Sequence, residues 1–247
     1  MGLRGLAELA LVDSSDSLRP PGFDVMMVII ASLGAALATM QPISEPHVAA
    51  RIILDPTLFA ATLFLALRGS AGVAGLIQRG IVSIYLSYPV SRHSVYTAIV
   101  VSRVLLPAAT LLSAPLLVAG LVLLPVVSVN PGYYILVFLA YLLQASMYGS
   151  FFLLAGLAAK SPGTASVVSI TFYFAYNITM LILSAVGAAM GSNIVSGLAD
   201  AMAFYYMVYR SLLGVGVEVW QLLLVPLLLL AMLLAGYVYF TRRFEPG

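Results

Sequence analysis

The chain has 247 residues, of which 62% are hydrophobic and 8% charged, with a formal net charge of +2; an ordinary soluble domain carries about 25% charged residues. So few charges cannot cover a water-facing surface without leaving apolar patches beyond what soluble monomers tolerate, so lipid contact must replace the missing polar surface. The charges form no block of one sign, which excludes an electrostatic footprint for nucleic acid, and the absence of cysteine removes disulfides and thiolate metal sites.

Residues 1–22 read as a cytoplasmic or interfacial N-terminal segment. Glu8, Asp13 and Asp16 interrupt it, so it does not have the form of a cleavable signal. Residues 3–12 suit either a short helix along the interface or a frayed terminus ahead of Pro20 and Pro21.

Crossing about 30 Å of hydrocarbon takes about 20 mostly apolar helical residues. Stretches near that length predict about six spans, with cores at 23–40, 55–76, 95–127, 133–158, 165–190 and 219–240. Arg68 lies about 12 Å before the expected cytoplasmic end of the second span. A cation at that depth costs at least about 2.5 kcal/mol unless it snorkels or finds a partner. Gating, substrate passage and a structural contact are all open to it, and Gly69, Gly72 and Gly75 permit a close helix neighbour.

Residues 79–92 follow, expected to stay outside the membrane. Taken as helical over 80–88, they place Ile81, Ile84, Tyr85 and Tyr88 on one face, with Gly80, Ser83 and Ser87 elsewhere. Pro89 ends that helix, and Ser91 offers its hydroxyl to cap the next. Such a helix lies on lipid headgroups or enters a pocket of a soluble partner, where the tyrosines and the flanking Arg79 and Arg92 would suit a protein surface.

Pro107, Pro115 and Pro125 are expected to kink the long third span. After the fourth span, 156–161 reads GLAAKS, which ends like a phosphate-binding loop, but Ala159 stands where the second glycine is required and a span rather than a strand precedes it. In the fifth span Tyr173, Tyr176, Asn177 and Met180 share a face that lines a pathway, meets another subunit or packs within the chain. Residues 191–218 are too polar for a comfortable span and too apolar for a free loop. They predict short re-entrant or interfacial helices on the extracytoplasmic side before the sixth span, with Tyr205, Tyr206 and Tyr209 at headgroup level.

Lys and Arg fix the expected orientation. With both termini in the cytoplasm, Arg4, Arg19, Arg79, Arg92, Arg103, Lys160, Arg242 and Arg243 collect inside, and Arg51 and Arg210 remain outside. No HExxH, GxSxG or intramembrane carboxylate pair is present, so no catalytic residue, metal ligand or cofactor-binding residue is assigned.

From Gln78 to Arg92 the sequence resembles the permease subunits of ABC type-2 exporters. Those proteins carry a stretch like Glu-Arg-Gly-Thr, a short helix, then Leu-Ser-x-Pro-Val-Ser-Arg between their second and third spans. Here Gln78, Arg79, Gly80 and Ile81 stand at the first part, and Leu86, Ser87, Tyr88, Pro89, Val90, Ser91 and Arg92 match the second; Gln78 and Ile81 depart from the pattern. The resemblance implies a single all-α transmembrane permease domain over 1–247 in the plasma membrane. In it, 79–92 is the coupling-helix segment, and Arg79, Gly80, Ile81, Ile84, Tyr85, Tyr88, Pro89 and Arg92 dock a separate ABC ATP-binding subunit. ATP and Mg²⁺ would then sit on that partner, this chain would be no enzyme, and a second permease, a copy or a paralogue, would complete the pathway. Arg68, Tyr173, Tyr176 and Asn177 are its candidate pathway or subunit-contact residues. A secondary transporter and a non-transporting membrane scaffold are the competing readings.

Overall fold

The computed structural model of the chain describes residues 8, 13, 18, 22–40, 46–87, 91–123, 131–159 and 161–244. Among these every regular element is helical. α1 is Gly22–Met40. α2 (46–78) is one continuous rod in which Pro46–Phe64 and Ser70–Gln78 flank a π-helical turn, Leu65–Gly69. α3 is the short Ile81–Ser87. α4 (92–123) repeats the plan of α2, with a π turn at Val101–Leu105 between Arg92–Val100 and Leu106–Leu123. α5 is Pro131–Ala158, α6 is Pro162–Met190, α7 is Asn193–Met202, α8 is Phe204–Leu212 and α9 is Val219–Arg243.

Five helices, at Arg51–Gln78, Arg92–Leu117, Gly132–Ala158, Pro162–Met190 and Val219–Arg243, are long and apolar enough to cross a membrane, as in a multi-pass membrane protein. They coincide with five of the six expected cores. The first core, 23–40, falls in α1, a shorter apolar helix. α2 and α4 are about 50 Å long at 1.5 Å per residue, well beyond the roughly 30 Å of hydrocarbon.

Close approaches order the helices. Gly22 lies against the Arg68 guanidinium and Gly34 against Pro115, so α1 runs alongside α4 and antiparallel to α2. A Cβ on Gly156 would stand 2.6 Å from the Ser70 carbonyl, and Gly149 takes the Val104 side chain, so α5 crosses α2 and α4 with almost no side chain between them. Tyr96 donates to the Leu233 carbonyl (2.8 Å) and Arg243 to that of Leu157, which ties α9 to α4 and α5. The start of α1 and the end of α9 therefore lie towards the end of the bundle that carries α3. Short helices α7 and α8 close the opposite end.

Two apolar clusters fill the bundle. One, around Leu54, Leu112, Tyr141, Met147, Phe152 and Val225, lies towards the α7–α8 end. The other, around Val73, Val82, Val95, Ile99, Leu153 and Phe240, lies towards α3. Their position explains the composition: α5 is enclosed from Ala140 to Leu157, while its first turns, through Ile135, Leu136 and Leu139, and α6 and α9, through Ile178, Leu181, Ile182, Leu227, Leu230 and Leu234, face outward, the distribution suited to lipid as outer solvent.

Pro107 accounts for the π turn in α4. A proline there has no N–H for the carbonyl four residues back, and the Leu106 N–H reaches Val101 instead, one residue further. Pro115 lies inside α4 without ending it. Pro125, Pro20, Pro21 and Lys160, and all of residues 3–12 except Glu8, lie outside the described residues.

Candidate functional site

The segment between α2 and α4 is built by backbone demands. α2 ends at Arg79, which still has right-handed angles (φ −82°, ψ 0°), because Gly80 adopts φ +72°, a left-handed turn that glycine accepts without steric cost. Arg79 is exposed and folds back to donate from Nε to the Gly75 carbonyl (3.2 Å). At the far side Ser91 caps α4, its Oγ accepting from the Ser94 N–H (3.1 Å), as its position before Arg92 predicts. Tyr88, Pro89 and Val90 lie outside the described residues.

Within α3 the face expected to meet headgroups or a partner is divided between the bundle and the outside. Val82 is 1% exposed, and Ile81, Tyr85 and Leu86 pack beside it against the bundle. Ile84, 55% exposed, faces away together with Ser83 and Ser87. A seven-residue helix is too short to persist alone, so its best apolar side goes to holding it in place. Tyr85 and Ile81 therefore anchor α3, and the outward surface is Ser83, Ile84 and Ser87, with Arg79 exposed and Arg92 half-buried at its two ends.

Above α3 the two π turns face each other. Gly69 lies against the Arg103 carbonyl, and a Cβ on Gly72 would stand 2.7 Å from the Arg103 guanidinium, the close approach that the spacing of Gly69, Gly72 and Gly75 predicts. Arg103 is paired: Nε donates to Asp13 Oδ2 (2.9 Å) and Nη2 to Oδ1 (2.5 Å), while Ser102 Oγ also donates to that carboxylate. The Arg103 and Asp13 side chains are 4% and 2% exposed. Asp13 thus packs inside the bundle against a residue 90 positions away in sequence. Arg68 is exposed, and its guanidinium rests against Gly22, so the side chain reaches the level at which α1 begins.

The tyrosine face of α6 turns inward. Tyr173 packs on Tyr148, with ring centroids 5.2 Å apart, and on Phe59 at 6.0 Å. The Tyr176 hydroxyl donates to the Met202 carbonyl (2.7 Å), and Asn177 Nδ2 donates to Tyr173 within its own helix (2.8 Å). Tyr173 packs on α5 and Tyr176 bonds to α7, Asn177 bonds within its own helix, and Arg68 lies apart from all three, against Gly22.

The hairpin end joins polar groups in pairs that the sequence reading did not anticipate. Arg51 Nε meets Asp55 Oδ2 at 3.3 Å, Tyr141 donates to Asp55 Oδ1 (2.5 Å), and Arg210 pairs with Asp200 at 2.6 Å. The Arg51 guanidinium lies 5.1 Å from the ring centroids of both Tyr206 and Tyr209. Gln144, fully buried in α5, accepts from the Phe204 N–H (3.0 Å), satisfying the free donor where α8 begins. Burial, with the Asp55 carboxylate adding to it, pushes the Tyr205 phenol up to about 12, so it stays neutral. A cavity of about 230 Å³ lies here, lined by Arg51 of α2, by Met180, Leu181 and Ser184 of α6, and by hairpin residues including Asp200, Tyr205 and Tyr206. Arg51 and Asp55 stand at helical i, i+4 spacing, which is the signal that would have paired them. A lone amide in a long apolar run would have flagged Gln144.

Among the described residues no three His, Asp or Glu side chains converge in a metal-binding group. No protein-family model and no curated protein matches the chain.

Proposed function

We propose that this chain is the membrane subunit of an ABC type-2 exporter, in the plasma membrane with both termini in the cytoplasm and α1 as the first of six spans. A separate subunit binds ATP and Mg²⁺ and hydrolyses the nucleotide. A second permease, a copy or a paralogue, pairs with this chain, which moves its substrate without catalysing a reaction.

The observation that carries the reading is α3 and its mounting. A short helix anchored by Val82, Ile81, Tyr85 and Leu86 stands between two rods that each run on as a span. Push on its outer face and the force passes into α2 and α4 through packed side chains, as a rigid-body transmission requires. The surface available for docking is Ser83, Ile84 and Ser87, flanked by Arg79 and Arg92, and this is the stretch whose sequence resembles the coupling segment of that family. The π turns at Leu65–Gly69 and Val101–Leu105 sit where such a displacement would meet the membrane.

Co-purification in detergent with the candidate ATP-binding subunit tests the proposal, comparing the native chain with Ile84→Asp. A charge at the centre of the docked face is expected to abolish the complex while membrane insertion and thermal stability stay native. A correctly inserted Ile84→Asp chain that still holds the ATPase rules out this face. If the native chain holds no ATPase at all, the permease reading fails, and a secondary transporter or a scaffold takes its place.

A further inference from the structure

We propose that the cavity between α2, α6 and the α7–α8 hairpin binds the headgroup of a zwitterionic phospholipid carrying a primary amine. The phosphate faces Arg51, the ammonium faces Asp200, and the acyl chains lie along the outer surface of α6.

Four observations carry this. First, the cavity lies where Arg51 opens the candidate span Arg51–Gln78, at the end of a hydrophobic rod where headgroups sit. Its volume of about 230 Å³ falls below the range of about 300–1,000 Å³ usual for whole drug-sized ligands. A headgroup whose tails remain outside is the size of occupant it suits.

Second, its walls carry both signs. Arg51 and Asp200 line it, and each already has one partner, Asp55 and Arg210. The site as a whole is close to neutral, which disfavours a purely anionic lipid and matches a ligand whose own charges are paired.

Third, both groups have capacity left. Arg51 engages Asp55 through Nε alone, so among the described residues its terminal nitrogens make no hydrogen bond, and a guanidinium edge is well shaped for phosphate. The Asp200 contact with Arg210 uses Oδ2, leaving Oδ1 to accept from an ammonium. Tyr205 and Tyr206 stand in the same wall, and aromatic faces attract an ammonium group.

Fourth, the mouth opens beside apolar surface. Leu181 lines the cavity and is 69% exposed, and Ile178 and Ile182 continue the outward face of α6. A water-soluble zwitterion would gain nothing from that surface, whereas acyl chains would cover it.

The inference stands whether or not an ATPase docks at α3. Its test is native mass spectrometry of the full chain released from detergent, titrated with phosphatidylethanolamine, phosphatidylglycerol and phosphatidylcholine of one acyl composition, and separately with soluble phosphoethanolamine. Phosphatidylethanolamine is expected to bind at least about tenfold more tightly than phosphatidylglycerol or phosphatidylcholine, the factor for about one charge-assisted hydrogen bond, and more tightly than soluble phosphoethanolamine, which shares its headgroup but lacks the acyl chains. Arg51→Gln is expected to weaken it by about tenfold. Asp200→Asn should erase the preference over phosphatidylglycerol. Because either change also breaks an ion pair, Ser184→Trp serves as a third variant: it narrows the mouth, leaves both pairs intact and should likewise reduce binding. Equal binding of all three lipids, retention unaffected by Ser184→Trp, or soluble phosphoethanolamine competing as well as the lipid would each overturn the proposal.

Discussion

Replacing Asp13 by Ala would remove a buried carboxylate that takes two hydrogen bonds from the Arg103 guanidinium. The two side chains are 2% and 4% exposed, so water cannot take over the lost bonds, and Gly72 packs too closely against the guanidinium for it to move aside freely. Removing one member of a buried ion pair costs about 3–5 kcal/mol. For a chain of this size about 3 kcal/mol corresponds to a fall in Tm of roughly 6–12 °C. Thermal unfolding in detergent, followed through the fluorescence of the single tryptophan, Trp220, measures it. The pair should behave as a unit: Asp13→Leu combined with Arg103→Met should be far less harmful than the sum of the single changes, because apolar groups of similar volume can replace a buried ion pair at little net cost. If Asp13→Ala lowers Tm by under about 2 °C, or the double variant simply adds the single effects, the pair does not stabilise the bundle in the way its burial indicates.

The remaining predictions concern packing and pH. Gly156→Ala would set a Cβ 2.6 Å from the Ser70 carbonyl, and neither backbone can yield cheaply, whereas Gly163 has open space around it. Overpacking there should cost about 1–3 kcal/mol against about 0.5 kcal/mol or less for Gly163→Ala, compared by the same melting assay. The raised Tyr205 phenol implies alkaline sensitivity of the hairpin. Stability that depends on the neutral phenol is complete below its ordinary value of 10.0 and is lost as pH rises towards about 12. Tyr205→Phe, which cannot ionise, should therefore lose less Tm than the native chain between those limits.

What could be read in advance divides by the range of the interaction. Span positions were legible because about 20 consecutive apolar residues carry their own meaning in a bilayer, and the mixed composition of 191–218 foretold α7 and α8. The cap at Ser91 was legible for the same local reason. The facing of α3 was not: with only seven residues, periodicity admits a face centred on Ile84 or one centred on Val82, and the neighbours decide. Asp13 with Arg103, and Gln144 with the start of α8, join residues 90 and 60 apart, and no local pattern announces a partner at that distance. The depth of Arg68 depended on where the hydrocarbon begins along α2, and a rod of about 50 Å can be set against a bilayer of about 30 Å at several heights. Contact with Gly22 is what relates Arg68 to the start of α1.

The paired π turns also bear on which length changes the chain can tolerate. Each turn holds one residue beyond α-helical spacing, so the two halves of α2 and of α4 are out of phase with an uninterrupted helix by about 100°. Deleting one residue from 65–69 would restore ordinary α-helical hydrogen bonding and look harmless locally. It would also swing Gly72 and Gly69 away from Arg103 by that angle and bring bulkier side chains round against α4. The surplus residue in each rod therefore keeps the glycine surface of one in step with the arginine of the other, and a deletion in only one rod cannot preserve that alignment.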